Sequence, residues 1–277
     1  MSGTRRLRLF AGLGVAIATI VLAACGGSDQ ESSTNESSGS EAASAPADAP
    51  AGHDAPARPA STESTDIEFE TSDGVLIKGT INPAGGEGGP AVVLVHQFGS
   101  SRSDWDELAP LLNDQGYSTL AYDIRGMGES IDLADGGTVD TNAGAAYLDA
   151  FPLDTEAAAE VLRSELNPSS VGVVGASVGA NTAFVASGSG FGLDGAVALS
   201  PAATDGPLRG LTVDGFDPSG VLFIADSAEI GDSETLAAET ADPKDLIEAE
   251  IPGHGVALLS SMDVVTSILD WLDTSLG

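Results

Sequence analysis

The chain contains one stretch whose residue types and spacing suit nucleophilic catalysis, the segment 171–179 with the letters VGVVGASVG. Its valines and glycines predict a short buried strand that runs directly into the pentapeptide GASVG, a G-x-S-x-G pattern around Ser177. Small residues two positions before and two positions after a serine allow a sharp strand-to-helix turn that presents Oγ to a substrate. Ser177 is therefore the candidate nucleophile.

A base must accompany this serine, because a serine hydroxyl is a weak nucleophile until its proton is removed. Beyond residue 65 the sequence offers two histidines, His96 and His254. His254 lies in the glycine-flanked segment PGHG, directly after the last predicted strand, whereas His96 ends an apolar strand and is expected to be structural. His254 is the candidate general base.

A carboxylate must hold the imidazole in the correct tautomer and stabilise its charge, and it is expected after the predicted strand 220–225, which comes before His254 in the chain. Three acidic residues follow that strand: Asp226, Glu229 and Asp232. Their residue types alone do not decide which of the three acts together with Ser177 and His254.

The strands that must position these groups alternate with helices from Asp66 onward, which predicts a sheet with helices on its faces. An antiparallel hairpin is predicted at the start of the domain, around the turn Asp73-Gly74. Besides the strand that leads into Ser177, further strands are predicted at residues 90–96, 117–122, 195–199, 220–225 and 246–251.

The helices are predicted from apolar residues at helical spacing and from end signals. One helix is expected to begin with Asp154 as its cap and to end at Asn167, before a proline. A final helix is expected after His254, with residues such as Met262 and Val265 facing the core.

From about Ile67 to Leu276 the chain resembles the α/β-hydrolase family. Residues 92–130 look like the family's strand, oxyanion turn, helix, strand and D-x-R-G-x-G-x-S turn, the last matched by Asp123, Arg125, Gly126, Gly128 and Ser130. The order of serine, acid and histidine along the chain is also that of the family. The resemblance implies a mostly parallel central sheet with helices on both faces, an antiparallel hairpin at its start and no large lid domain.

The resemblance also implies roles for individual residues. Glu229 falls where the family usually places its acid, more often an aspartate, with Asp226 and then Asp232 as alternatives. The oxyanion hole would be formed by the backbone N–H groups of Phe98 and Val178. Gln97, next to Phe98, stands where many members have glycine.

The connection between the strands ending at Leu199 and starting at Gly220 has only about twenty residues, too few for the lid that the family often inserts there. The insertion 131–152 is the one sizeable loop, and its Tyr147, Leu148 and Phe151 are expected to border the site. These lengths predict an open, shallow cleft for small or surface-presented esters. The size resembles that of dienelactone hydrolases, which often carry cysteine where Ser177 stands.

Composition restricts the possible partners. The chain has 277 residues, of which 42% are hydrophobic, and this is sufficient for one domain with a large core. It has 42 acidic and 10 basic residues, a net charge of −32 that argues against binding nucleic acid or an anionic surface. Adaptation to a salty medium and a compositional bias of the source proteome both explain this excess.

The N-terminus has the pattern of an export signal. Arg5, Arg6 and Arg8 precede an apolar run that ends before Cys25, the single cysteine. The letters LAAC resemble the lipobox of bacterial lipoproteins, which implies cleavage before Cys25, lipidation of that residue and attachment to the outer face of a membrane. Sec and twin-arginine export both remain open.

Three segments are expected: a signal peptide at 1–24, a lipidated cysteine with a disordered acidic tether at 25–65, and an α/β-hydrolase domain at 66–277. The sequence has no phosphate loop, dinucleotide fingerprint or metal-ligand cluster, so neither a cofactor nor a metal is expected, and the protein is expected to be a monomer. The predicted function is a membrane-tethered serine hydrolase that cleaves carboxylic esters. An acyltransferase or peptidase with the same residues, and a non-catalytic binding lipoprotein, are the alternatives.

Overall fold

The computed structural model describes residues 63–85, 88–203 and 216–277. Contacts divide the chain into two units, 1–55 and 56–277, and every described residue belongs to the second. The predicted signal peptide, Cys25 and most of the tether lie outside the described residues, as does most of the connection where a lid is predicted to be missing. Of the helices that are described, none has the length and hydropathy needed to cross a membrane.

The described residues form one eight-stranded sheet. Its strands are β1 (Thr65–Glu70), β2 (Leu76–Asn82), β3 (Ala91–Val95), β4 (Ser118–Tyr122), β5 (Val171–Ala176), β6 (Gly195–Leu199), β7 (Ser219–Asp226) and β8 (Ala241–Ala249). They are ordered β1-β2-β4-β3-β5-β6-β7-β8. The pairs β1–β2 and β2–β4 are antiparallel, and all the other neighbours are parallel.

Six α-helices accompany the sheet: α1 (Leu108–Asp114), α2 (Ala145–Asp149), α3 (Phe151–Leu166), α4 (Val178–Gly188), α5 (Ile230–Ala238) and α6 (Met262–Leu276). Two short 3-10 helices span Arg102–Trp105 and Gly255–Ser260. Strands β3 to β6 are buried along their whole length because helices cover both faces of the sheet, which is why β3, β5 and β6 consist of apolar residues and glycine.

Each face of the sheet has its own apolar cluster. Phe151 and Leu162 of α3 pack in one cluster with Phe184 of α4, while Leu108 of α1 and Leu272 of α6 belong to the other. The predicted class, a mostly parallel sheet with helices on both faces and an antiparallel hairpin at its start, is confirmed.

Two of the predicted boundaries are wrong. Strand β8 begins at Ala241, before the predicted start at 246, because its first half is an exposed polar segment without the alternation expected of a strand. The final helix is interrupted: Ser261 ends the 3-10 helix and its Oγ accepts a hydrogen bond from Val264 N at the start of α6. Met262 was expected in the core but is 66% exposed, since it lies in the first turn of α6 on the outer side.

The predicted cap at Asp154 is also wrong. Helix α3 starts at Phe151, and Asp154 lies fully buried within its first turn. Its carboxylate accepts hydrogen bonds from the Arg125 backbone N–H at 3.0 Å and from Arg125 Nε at 2.8 Å, while Arg125 also contacts Asp73 of the β1–β2 turn. Burial raises the pKa of Asp154 to about 6, against the lowering effect of Arg125. This ion-pair network joins α3, the turn after β4 and the N-terminal hairpin.

We predict that Asp154→Ala lowers the free energy of unfolding by about 3 kcal/mol, because it leaves the buried Arg125 with Asp73 as its remaining acidic partner. Urea denaturation measures the change. Glu160→Ala on the exposed side of the same helix is the control and is expected to change stability by less than about 0.5 kcal/mol. Equal effects of the two substitutions would contradict a stabilising role for the buried pair.

Candidate active site

Ser177 is the single residue between β5 and α4, at the carboxyl edge of the sheet. Its backbone has φ 53° and ψ −116°, an unfavourable conformation for a residue with a side chain. The turn is held by a hydrogen bond of 2.8 Å from Ser177 N to Leu199 O at the end of β6.

The flanking glycines are required by the close approach of three backbone segments. A Cβ on Gly175 would lie 2.0 Å from Gly179 O, and a Cβ on Gly179 would lie 2.2 Å from Val95 O at the end of β3. Both distances are far inside van der Waals contact. The G-x-S-x-G spacing therefore allows β5, α4 and β3 to meet directly beneath Ser177.

The structure brings Ser177, His254 and Glu229 into one hydrogen-bonded chain. His254 Nε2 lies 2.8 Å from Ser177 Oγ, and His254 Nδ1 lies 2.8 Å and 3.0 Å from the two carboxylate oxygens of Glu229. A carboxylate only accepts, so Nδ1–H donates to Glu229 and Nε2 is left to accept the serine proton. The side chains of His254 and Glu229 are 52% and 35% exposed, so the group is open to solvent.

In the part of the chain that the structure describes, the other two acid candidates make no hydrogen bond to the histidine ring. Asp226 Oδ1 accepts from Ala228 N at 2.9 Å and Glu229 N at 3.1 Å, and its Oδ2 accepts from Gly253 N at 3.1 Å. These hydrogen bonds, that from Gly253 most of all, lower the pKa of Asp226. Asp232 lies in the first turn of α5. Within the described residues, the ring of His254 hydrogen-bonds only to Glu229 and Ser177.

Of the two expected oxyanion donors, Val178 directly follows Ser177 and Phe98 is in the turn that follows β3. Val178 is the first residue of α4, whose N-terminal end carries partial positive charge. In the described part of the chain, neither backbone N–H donates to a protein acceptor. Phe98 is 63% exposed.

His96 holds this turn. It is fully buried, its Nδ1 donates to Gln97 O at 2.7 Å, and its Nε2 accepts from Ile124 N at 2.9 Å. Burial lowers its pKa and favours the neutral ring that these two bonds require. His96 therefore connects the turn after β3 to the turn after β4, a structural role of the kind that its sequence position predicts.

Of the three residues expected to border the site, Leu148 is partly buried against the core, and Tyr147 and Phe151 lie within it, which corrects the expectation for these two. Both are buried, and their rings pack edge to face with centroids 5.0 Å apart. Tyr147 also donates its hydroxyl to Arg125 O at 2.8 Å. They pack inside the domain because this segment covers the buried Arg125 and Asp154.

One residue that sequence reasoning missed is Ser200, directly after β6. Its Oγ accepts from Gly255 N at 3.0 Å, next to His254. No local signal identifies it, because a serine after an apolar strand is common and its partner is far away in the chain.

A cavity of about 570 Å³ lies elsewhere, between the sheet and α1, and includes Thr80, Asn82, Arg102 and Asn113 in its wall. None of the three hydrogen-bonded residues lines it. Among the residues that the structure describes, no group of three or more histidine, cysteine or acidic side chains is placed to hold a metal ion.

Comparisons with known proteins agree with this architecture. A family model described as the alpha/beta hydrolase fold matches residues 90–189, the part that includes β3, β4, β5 and the turn at Ser177. No curated protein matches the chain.

Several solved structures resemble it at low sequence identity. The esterase Pf2001 of Pyrococcus furiosus is 20% identical with a TM-score of 0.61, and the match covers 78% of this chain and 94% of that one. A dienelactone hydrolase of Anabaena variabilis is 19% identical with a TM-score of 0.57, over 77% of this chain and 99% of that one.

A third similar structure is XC6422 of Xanthomonas campestris, described as a member of the α/β serine hydrolases without a lid. It is 18% identical with a TM-score of 0.58, and the match covers 78% of this chain and 96% of that one. The chain therefore has the α/β-hydrolase fold.

We predict that Gly179→Ala lowers the free energy of unfolding by about 3 kcal/mol, because its methyl group would overlap Val95 O and force the turn apart. Gly231→Ala in α5 is the control, since a Cβ there meets nothing within 4 Å and alanine favours a helix. Thermal and urea denaturation measure both. A Gly179→Ala variant as stable as Gly231→Ala would contradict the close approach.

Proposed function

We propose that the protein is a serine hydrolase that cleaves carboxylic esters through an acyl-enzyme. The observation that carries the proposal is the continuous chain of hydrogen bonds from Glu229 through His254 to Ser177. The α/β-hydrolase fold and the presence of an esterase among the similar structures support it.

In the first half of the reaction, Ser177 Oγ attacks the carbonyl carbon of the ester while His254 Nε2 takes the hydroxyl proton. Glu229 stabilises the imidazolium through its bond to Nδ1. The N–H groups of Phe98 and Val178 are the proposed donors to the oxyanion. Collapse of the tetrahedral intermediate breaks the bond to the alcohol, which leaves with the proton from His254.

In the second half, water attacks the acyl group on Ser177 and His254 Nε2 takes a proton from that water. Collapse of the second intermediate releases the carboxylic acid, and the proton returns to Ser177 Oγ. The half-exposed ring of His254 allows water to approach directly. An acceptor other than water at this step would make the protein an acyltransferase, which product analysis distinguishes.

The exposure of the site supports small or surface-presented esters as substrates. His254 and Glu229 are open to solvent, and the connection of about twenty residues after β6 is short for a lid domain.

Charge narrows the substrate class further. Each basic side chain of the described residues already has a partner within the chain. Lys78 contacts Glu68, Arg102 contacts Asp123 and Glu129, Arg125 contacts Asp73 and Asp154, Arg163 donates to the carbonyls of Phe191 and Gly192, and Lys244 donates to Thr240 O. Among the described residues, the cations are therefore already engaged by acceptors of the chain itself. With a net charge of −32, the protein is expected to favour neutral or cationic esters.

The site would lie outside the cytoplasmic membrane. The arginines, the apolar run and the letters LAAC before and at Cys25 support export and lipid attachment at that residue. A spacer of some forty residues would then connect the lipid to the catalytic domain.

We predict that Ser177→Ala abolishes labelling by a fluorophosphonate and lowers kcat for 4-nitrophenyl butyrate by about 10⁴-fold, because the nucleophile is lost.

Glu229→Gln is expected to lower kcat by at least about 100-fold, while the matched variant Asp232→Asn on the same turn retains it. Labelling and steady-state hydrolysis of the full chain measure these effects. An unlabelled and inactive wild type would favour a non-catalytic binding protein, and equal losses in the two acid variants would reject Glu229 as the acid.

We also predict discrimination by substrate charge. The kcat/KM for mono-4-nitrophenyl succinate is expected to be about tenfold lower than that for 4-nitrophenyl butyrate at low ionic strength, because the chain repels the anion. The difference should shrink in 1 M NaCl, where charges are screened beyond about 3 Å. Equal efficiencies at low salt, or a difference that salt leaves unchanged, would contradict the electrostatic argument.

A further inference from the structure

The loop that carries His254 has little conformational restraint of its own. It connects β8 to the 3-10 helix Gly255–Ser260, and glycines stand on both sides of the histidine. Glycine leaves a backbone free to adopt many conformations. A base on such a loop needs other groups to fix its distance from Ser177, since misplacement by about 1 Å can cost 100-fold in rate.

Ser200 provides one of these groups. Its Oγ accepts from Gly255 N at 3.0 Å, and the residue is buried. Its neighbour Leu199 accepts the Ser177 N–H at 2.8 Å. Two consecutive residues at the end of β6 therefore hold the backbone of the proposed nucleophile and the backbone next to the proposed base.

The backbone of Ser200 supports a functional reason for this contact. Its φ of 54° lies in the left-handed region, where glycine is the favoured residue. Ser200 N donates to Ile224 O at 2.8 Å, so the neighbouring strand fixes this conformation. A serine in a position that suits glycine indicates that its hydroxyl is needed.

Gln97 and Asp226 hold the same loop from two other strand ends. Gln97 Oε1 accepts from Val256 N at 3.4 Å, and Gln97 is next to the proposed oxyanion donor Phe98. Asp226 Oδ2 accepts from Gly253 N at 3.1 Å, while its Oδ1 accepts from Glu229 N. The N–H groups before and after His254 are thus bound by side chains from the ends of β3, β6 and β7.

We propose that Ser200, Gln97 and Asp226 are positioning residues that anchor the His254 loop, with Ser200 as the central one. The role in catalysis rests on the proposed function of His254 as the base. Each residue acts through the loop backbone and leaves the imidazole ring to Glu229 and Ser177. These three residues, together called the anchor, connect the His254 loop to the turns that carry the proposed nucleophile, the proposed acid and the proposed oxyanion donor Phe98.

Two substitutions of Ser200 test the proposal in the full chain. Ser200→Ala removes the acceptor and keeps the unfavourable backbone conformation, whereas Ser200→Gly removes the acceptor and relieves that conformation. Both are expected to lower kcat for 4-nitrophenyl butyrate by about tenfold or more with KM nearly unchanged. Ser200→Gly is expected to have the higher melting temperature of the two.

A purely structural role predicts a different result, in which activity follows stability and Ser200→Gly keeps the wild-type kcat. Ser130→Ala is the matched control. Ser130 is also buried, and its Oγ also accepts a backbone hydrogen bond, from Lys78 N at 2.8 Å. This variant is expected to lose stability and to retain kcat. A retained kcat in Ser200→Gly, or an equal loss in Ser130→Ala, would overturn the proposal.

Amide hydrogen exchange tests the anchor without reference to activity. Exchange at Gly255 is expected to be about tenfold faster in Ser200→Ala than in the wild type and unchanged in Ser130→Ala. Unchanged exchange in Ser200→Ala would overturn the anchor. An inactive wild type with faster exchange in Ser200→Ala would instead reject the proposed hydrolase activity and leave the anchor supported.

Discussion

The contact between the backbone of Gly179 and the end of β3 is the constraint on which the rest of the site depends. It allows α4 to start directly above the sheet, with its first N–H groups beside Ser177. Any side chain at that position would meet Val95 O at 2.2 Å and move the helix away. The strained conformation of Ser177 persists because three packed backbones surround it.

Parallel strands bring the remaining groups to the same edge of the sheet. The turns after β3, β5, β6 and β7 and the loop after β8 all leave from their carboxyl ends, so residues far apart in the chain meet there. A loop with two glycines carries His254, and side chains from three strand ends hold it. The strands of the sheet therefore fix the relative positions of Ser177, His254 and Glu229 more rigidly than the loops alone would.

The acidic composition has different consequences inside the domain and at its surface. Inside, the buried Asp154 binds Arg125, which also reaches the exposed Asp73, and the buried Asp123 accepts hydrogen bonds from Arg102 N and Glu129 N. These carboxylates hold the turns together. At the surface, few cations remain to offset the charge of the acidic side chains. The five basic residues of the described ranges all contact other parts of the chain.

The sequence by itself determined the class of fold and the candidates Ser177 and His254, because the signals for both residues lie in the few residues around them. Apolar runs and turn signals predict the strands. The glycines around Ser177 and His254 indicate tight backbone turns at these two residues. The resemblance favours Glu229 over Asp226 and Asp232, and only the tertiary structure shows that Glu229 hydrogen-bonds to His254, since this contact spans 25 residues of chain. Contacts between residues far apart in the chain produce no periodic pattern in the sequence. For that reason we could not predict the burial of Asp154, the early start of β8 or the contact of Ser200 with the His254 loop.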